Sequence, residues 1–309
     1  MIITLLIITS ISFIAFLIVL NLLINLKKNQ IKDKKQDNQK AEKLETNIFK
    51  LDEKNNDFKS SIKYAKRLVD AILKIGGSVQ FNKLEYFLFF KPRDIISGDF
   101  VWYNSKYDRH YFVVADCTGH GVPGAFMSII SYNLLSQAVN EYGIIKTSEI
   151  LEFINKRHYE IFNKDNESHI HDGMDLGICV IDTDSELIEY SGAMRPLYVV
   201  TANGEVEKIK GDRTSIGEAT DLTSEVGFKD HVSDFCTGDT LYMTSDGFVD
   251  QFGGENNKKY KNKKFNDLLL KISKSSMENQ NTMLNKELNS WMGQNEQVDD
   301  ITILGIRLK

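Results

Sequence analysis

Proline is scarce in this 309-residue chain, which holds three, so it is no proline-rich low-complexity tract. Cysteine is equally scarce. Cys117, Cys179 and Cys236 stand far apart, without the paired spacing of a zinc site or a disulfide framework. They read as small buried hydrophobes of a reduced, cytosolic compartment. An excess of positive charge is missing too: 38 Lys and Arg face 43 Asp and Glu, for a net charge of −5. Such a chain has no general electrostatic reason to bind nucleic acid. No internal repeat is visible. With 42% hydrophobic and 26% charged residues, what remains is of ordinary globular composition.

Charge is absent altogether from residues 2–26, a run long enough to cross a bilayer. Lys27, Lys28, Lys32, Lys34 and Lys35 follow at once, and the positive-inside rule then places the rest in the cytoplasm. A cleaved signal peptide fits less well, because the run is too long and lacks a basic start and a small-residue cleavage site. The expectation is a membrane anchor. Residues 27–40 are rich in Lys, Asn and Gln and read as a solvated linker or helix extension. Leu44, Ile48, Leu51, Asn55, Phe58, Ile62, Ala65, Val69 and Ile72 then recur in steps of four and three. That seam is the mark of a coiled coil, with Asn55 at a core position, and predicts a homodimer through residues 44–72. The other reading is one amphipathic helix lying on its own domain, which residues 64–75 suit. Gly76-Gly77 predicts the helix end. The expected divisions are 1–26 (transmembrane), 27–77 (linker and coiled coil) and 78–309 (folded domain).

Residues 78–309 can bury one sizeable core. Strand-like runs fall at 84–90, 110–115, 176–181, 187–190, 197–201, 226–232, 240–244 and 301–308. Helical runs fall at 125–142, 148–162, 264–275 and 277–291. Hairpin turns between consecutive strands, with helices in separate blocks, predict an α+β layered domain and not a parallel sheet.

The chemistry gathers around Asp116-Cys-Thr-Gly-His-Gly121, which follows a strand-like run and precedes a helix opened by Pro123. Taken alone, this is equally a strand–turn–helix corner with a capping aspartate. Ser97-Gly-Asp99, Ser245-Asp-Gly-Phe-Val-Asp250 and Asp299-Asp300 repeat the theme of acids at the ends of apolar runs. Several such carboxylates in one domain suggest an oxygen-ligand site for Mg²⁺ or Mn²⁺.

These motifs, with Asp172-Gly-Met-Asp175 and Tyr190-Ser-Gly-Ala193, resemble in order and context the metal-dependent protein phosphatases of the SpoIIE/RsbU type (the PPM, type 2C-like family). The resemblance covers about the last three quarters of the chain. It implies a four-layer α-β-β-α sandwich with two Mn²⁺ or Mg²⁺ ions at one edge. It also implies hydrolysis of phosphoserine or phosphothreonine on a protein, often a STAS-type anti-sigma-factor antagonist. By the same resemblance Asp116, with the Cys117 carbonyl beside it, bridges both metals and holds the reacting water. Asp99 is a ligand of one metal, and Asp246 and Asp299 of the other. Asp250 is matched to a third, weaker ion, and Asp300 to a supporting position. His120 is a candidate general acid or a turn residue, and Arg93 a candidate phosphate holder. Many members have an Ala-Gly-His-Pro-like segment where this chain has Gly192-Ala-Met-Arg-Pro196, a departure that marks a subfamily. Two other readings are a catalytically weak phosphoprotein-binding module of the same fold and a small-molecule metallophosphatase.

Overall fold

The computed structural model describes residues 2–73, 83–162, 172–217 and 227–309. It separates into two units, residues 1–61 and 62–309. The first is helical throughout, within helix α1 (Ile2–Leu73). The N-terminal part of α1 is long and apolar enough to cross a membrane. Leu44, Ile48, Leu51 and Phe58 of the predicted seam are all exposed.

The second unit begins with the last turns of α1. There Ile62, Ala65, Val69 and Leu73 pack into the domain's own core. The C-terminal part of the predicted coiled-coil seam is therefore taken up by the domain itself, and Leu73 is buried where the heptad pointed to Ile72. Gly76-Gly77 and the 77/78 boundary lie outside the described residues.

Two antiparallel five-stranded sheets follow. One contains β2 (Asp99–Lys106), β3 (Arg109–Cys117), β4 (Met174–Asp182), β5 (Leu187–Ala193) and β8 (His231–Asp234), in that spatial order. The other contains β1 (Leu84–Lys91), β12 (Ile301–Leu308), β9 (Thr240–Thr244), β6 (Leu197–Val200) and β7 (Val206–Ile209). A short hairpin, β10 (Phe252–Gly253) with β11 (Lys258–Lys259), stands apart from both. Helices α2 (Gly121–Ser136), which ends in a π-helical turn, and α3 (Thr147–Phe162) cover the first sheet. The short α4 (Gly247–Asp250), α5 (Asn262–Ile272) and α6 (Met277–Met292) cover the second. This is the expected α-β-β-α sandwich.

Its three apolar layers follow from the two-residue period of strands. In β3, Tyr111, Val113 and Ala115 face the helices, while Phe112 and Val114 face the other sheet. In β12, Leu304 and Ile306 enter the layer between the sheets, while Ile301 and Ile303 turn toward α5 and α6. Ser276 caps α6 by accepting a hydrogen bond from the Asn279 N–H, and Gly293, with φ 58°, ends it.

Sequence reasoning missed β2, β7, the β10–β11 hairpin and α4. In β2 Phe100, Val101 and Trp102 are all buried, so no polar–apolar alternation announces the strand. The four-residue β7 pairs only with β6, at a sheet edge, and its two central charged residues are exposed. The strand expected over 226–232 is instead His231–Asp234. Buried Phe228 precedes that ladder, and Val226 lies outside the described residues.

Candidate active site

Strand register builds half of the site. Asp99 opens β2, Asp116 lies next to the end of β3, and Asp175 lies next to the start of β4. Asp99 pairs directly with Asp116, and Asp116 with Asp175. Direct antiparallel partners project to one face of a sheet, so three carboxylates stand in a row. By parity they share their face with Val101, Val114 and Cys179, which line the layer between the sheets. The row therefore closes one end of that layer.

The second sheet supplies the facing groups. Thr302, at the start of β12, donates from Oγ1 to Asp99 Oδ2 at 2.7 Å, and both residues are fully buried. Ser245, just past β9, donates from Oγ to the Asp300 carbonyl, and its Oγ accepts from the Thr302 N–H. Asp246 follows as the residue before α4. Asp300 is buried and points away from the cavity. Its two oxygens accept from the backbone N–H of Arg93 (2.7 Å) and Gly98 (2.8 Å), tying the loop before β2 to the second sheet. Asp299 instead lines the cavity, and its Oδ1 accepts from the Asp300 N–H.

Close backbone approach holds the loop after β3. A Cβ on Gly98 would stand 2.5 Å from the Gly119 carbonyl oxygen and 3.1 Å from that of Cys117. Glycine is needed there because the two turns touch. Ser128 Oγ, on α2, ties the Gly98 turn to that helix by donating to the Gly98 carbonyl.

The acids open on a cavity of about 400 Å³ lined by Asp116, Cys117, Asp175, Arg195, Asp246 and Asp299, among others. Burial pushes the Asp99 carboxyl up to about 7, against the lowering effect of the Thr302 and Ser245 hydroxyls. Burial and the neighbouring Asp99 raise Asp116 well above the carboxylate range, and burial raises Asp299. Burial likewise pushes the Cys117 thiol far up, so it is no nucleophile.

At the centre stands a group that sequence reasoning left without a role. One guanidinium nitrogen of Arg195, Nη2, donates to Asp175 Oδ2 at 2.9 Å and to Asp116 Oδ2 and Asp246 Oδ2 at 3.0 Å. Burial opposes its charge, but the three carboxylates overcome that and strengthen it. Asp175 was also missed as a site residue, although its motif was visible. Its Oδ1 accepts from Ser215 Oγ at 2.5 Å. Asp175 lies beside a strand start, as Asp99 does, but only the pairing of β4 with β3 sets it in the row.

The remaining candidates sit at the rim. His120 Nδ1 lies 2.6 Å from Asp94 Oδ2, and both side chains are half exposed. Arg93 Nη1 donates to the Val298 carbonyl at 3.1 Å. Both line the cavity. Asp250 pairs with Lys259 at 2.9 Å and is not among the lining residues.

Among the described residues, no group of three or more His, Cys, Asp or Glu side chains stands ready to hold a metal ion. The donor set nevertheless fits a hard divalent cation. It is all oxygen, and a single positive nitrogen already occupies the point on which three of its carboxylates converge.

Comparison with known proteins agrees with this geometry. Residues 106–309 match the model of the family described as Stage II sporulation protein E (SpoIIE). The chain belongs to that family. Among solved structures, the SiaA PP2C domain of Pseudomonas aeruginosa is 28% identical, with a TM-score of 0.73, over 82% of this chain and 98% of that one. The PP2C phosphatase domain and regulatory fragment of SpoIIE from Bacillus subtilis has 17% identity and a TM-score of 0.56, over 75% of this chain and 65% of that one. RsbX in complex with magnesium has 14% identity and a TM-score of 0.51, over 75% and 99%. No curated protein matches the chain. The chain thus carries a PP2C-type domain of the SpoIIE family.

Proposed function

We propose that this chain is a membrane-tethered phosphatase that hydrolyses phosphoserine or phosphothreonine on a regulatory protein, with Mn²⁺ or Mg²⁺ as cofactor. The observation that carries the reading is the row Asp99–Asp116–Asp175, faced by Asp246 and Asp299 from the opposite sheet. Asp116, Asp99, Asp246, Asp299 and the Cys117 carbonyl would hold two ions, and Asp175 stands where it would join them. Asp250 would hold a third, weaker ion. When bound, such a pair of ions lowers the pKa of a shared water, clamps phosphoryl oxygens and screens the charge of the phosphate. Around them, Asp300 holds the 93–98 loop in place, while Arg93 and His120 stand at the mouth where a phosphorylated side chain enters. The Thr302 hydroxyl favours the ionised form of Asp99.

The substrate we favour is a STAS-type anti-sigma-factor antagonist, because the family's members often act on such proteins. Residues 2–26 would cross the cytoplasmic membrane, with Lys27 and Lys28 on the inner side and the catalytic domain in the cytoplasm. The exposed Leu44, Ile48, Leu51 and Phe58 would pair two chains.

A second reading has one observation behind it. The guanidinium inside the acid cluster suits a protein that binds a phosphoprotein without cleaving it. The test is hydrolysis of a phosphoserine peptide by the full chain in detergent, with Mn²⁺ and with EDTA. Turnover that needs Mn²⁺ and vanishes in Asp116→Asn supports the enzyme. Phosphopeptide binding without turnover would replace that reading with the binding module.

A further inference from the structure

Arg195 is held by more architecture than a surface arginine receives. Met194 before it adopts a left-handed conformation, φ 62°, that L side chains rarely take. The Arg195 N–H donates to the Ala193 carbonyl at 2.7 Å. Its own carbonyl accepts from the fully buried Tyr190 hydroxyl at 2.7 Å. Gly192 and Gly211 press bare Cα faces against that carbonyl, where a Cβ would overlap it. Backbone bonds from Met194 to Asp212 and from Asp212 to Gly192, both 2.8 Å, close the corner. Pro196 limits the backbone that follows. The main chain here cannot shift without breaking this set, so only the side chain is free to move.

The side chain itself is not bonded as a permanent clamp would be. An arginine that clamps a carboxylate often does so bidentately, through two parallel N–H groups of its fork. Here one nitrogen takes all three, while Nε is buried without a partner among the described residues. A buried unsatisfied donor is unfavourable, which weakens the hold on the side chain in this position. The contacts mix strong charge pairing with an unmet donor, as a removable plug would.

We infer that Arg195 is an internal counter-cation that fills the acid cluster when divalent ions are absent and leaves it when they bind. It thereby sets the metal affinity of the site. The inference rests on the metal-dependent reading above. The physical ground is competition: the guanidinium and a divalent cation would draw on the same oxygens of Asp116, Asp175 and Asp246. Each also repels the other through a poorly screened interior. Removing Arg195 frees the oxygens for the ion and leaves the metal-free chain with unneutralised carboxylates.

The experiment uses the full chain in detergent as native protein, Arg195→Lys, Arg195→Gln and Asp116→Asn. Mn²⁺ binding is measured by calorimetry, and thermal unfolding is followed in EDTA. Arg195→Gln is expected to bind Mn²⁺ at least about tenfold more tightly than native protein and to melt at a lower temperature in EDTA. Arg195→Lys, with a shorter stem and a single ammonium, is expected to fall between them in both measurements. If Arg195→Gln does not fold, a severalfold gain in Mn²⁺ affinity by Arg195→Lys supports the inference and an unchanged affinity overturns it. Equal Mn²⁺ affinities across the Arg195 series, lost in Asp116→Asn, would overturn the counter-cation while leaving the metal site standing. Absence of Mn²⁺ binding in native protein and every variant would instead overturn the metal reading itself.

Discussion

Thr302→Val is the sharpest probe of the buried end of the site. Asp99 is 1% exposed and Thr302 fully buried, and the 2.7 Å bond between them is the strongest influence holding the Asp99 carboxyl down against burial. Valine keeps the shape and removes the donor. A hydrogen bond to a charged group contributes about 1.5–3 kcal/mol, and about 1.4 kcal/mol corresponds to one pH unit, so the carboxyl should rise by roughly one to two units. Cation binding needs the ionised form. The pH profile of Mn²⁺-dependent phosphopeptide hydrolysis should therefore move in the alkaline direction by about that amount. The stability sign is fixed by the same shift. The folded chain holds the Asp99 proton more tightly than the unfolded chain, with about 7 against 3.8. The metal-free protein should accordingly lose stability as pH rises from below 4 through about 7. In Thr302→Val that loss should grow and extend to higher pH. The assays are rate against pH at a fixed sub-saturating Mn²⁺ concentration and urea unfolding in EDTA across the same range. Superimposable pH profiles for native and Thr302→Val would refute the reasoning.

Asp116→Asn should reduce hydrolysis to background, because a neutral amide binds hard cations poorly; a phosphopeptide assay with Mn²⁺ checks it. Asp299→Asn should remove Mn²⁺-dependent turnover while shifting stability by no more than about 0.5 kcal/mol, since Asp299 faces the cavity. Asp300→Asn should do the reverse. It weakens the acceptor of the Arg93 and Gly98 N–H groups, costs about 1.5–3 kcal/mol in urea unfolding, and leaves more activity than Asp299→Asn. His158 is fully buried, neither ring nitrogen has a partner among the described residues, and burial lowers it from 6.5 to about 4. The fold prefers its neutral form, so its contribution is complete above about 6.5, and roughly 3 kcal/mol is lost as pH falls toward 4. His158→Phe should flatten that acid limb in urea titrations at constant EDTA; an unchanged limb would exclude His158 as its source.

The parts of the chain legible in the sequence are those with a strong local signal. The strands Thr240–Thr244 and Ile301–Leu308 carry compact apolar runs and were readable to the residue. The acids at the strand ends were readable because a carboxylate beside glycine or a second acid is unusual at the edge of an apolar run. What escaped was non-local. Asp175 becomes a site residue only once β4 pairs with β3, a register that no window of sequence displays. Arg195 is a charged residue in a turn until the fold carries it 79 positions back along the chain, to Asp116. The heptad seam was legible as a pattern, but not its division between the exposed Leu44 to Phe58 stretch and the buried contacts of Ile62, Ala65 and Val69. A 3.5-residue period states that one helix face is apolar and is silent about what covers it.

The site also shows where the chain departs from its own rules of stability. Apolar residues fill all three layers of the sandwich, and along β3 and β12 nearly every side chain is buried. At one end of the middle layer that pattern stops, and carboxylates from both sheets meet in a space whose burial disfavours their charge. Nothing in packing alone would select this arrangement, since like charges in a poorly solvated pocket repel. The fold answers with three partial remedies: a guanidinium in the middle, hydroxyl donors from Thr302 and Ser245, and carboxyls displaced toward their neutral forms. The guanidinium and the retained protons compete with divalent cations for the same oxygens, whereas the hydroxyls favour the ionised carboxylate that a cation needs. The same electrostatic conflict that makes the acid cluster costly gives it the all-oxygen, negatively charged character that suits a hard divalent cation. The stability that tolerates the conflict comes from the apolar layers behind it.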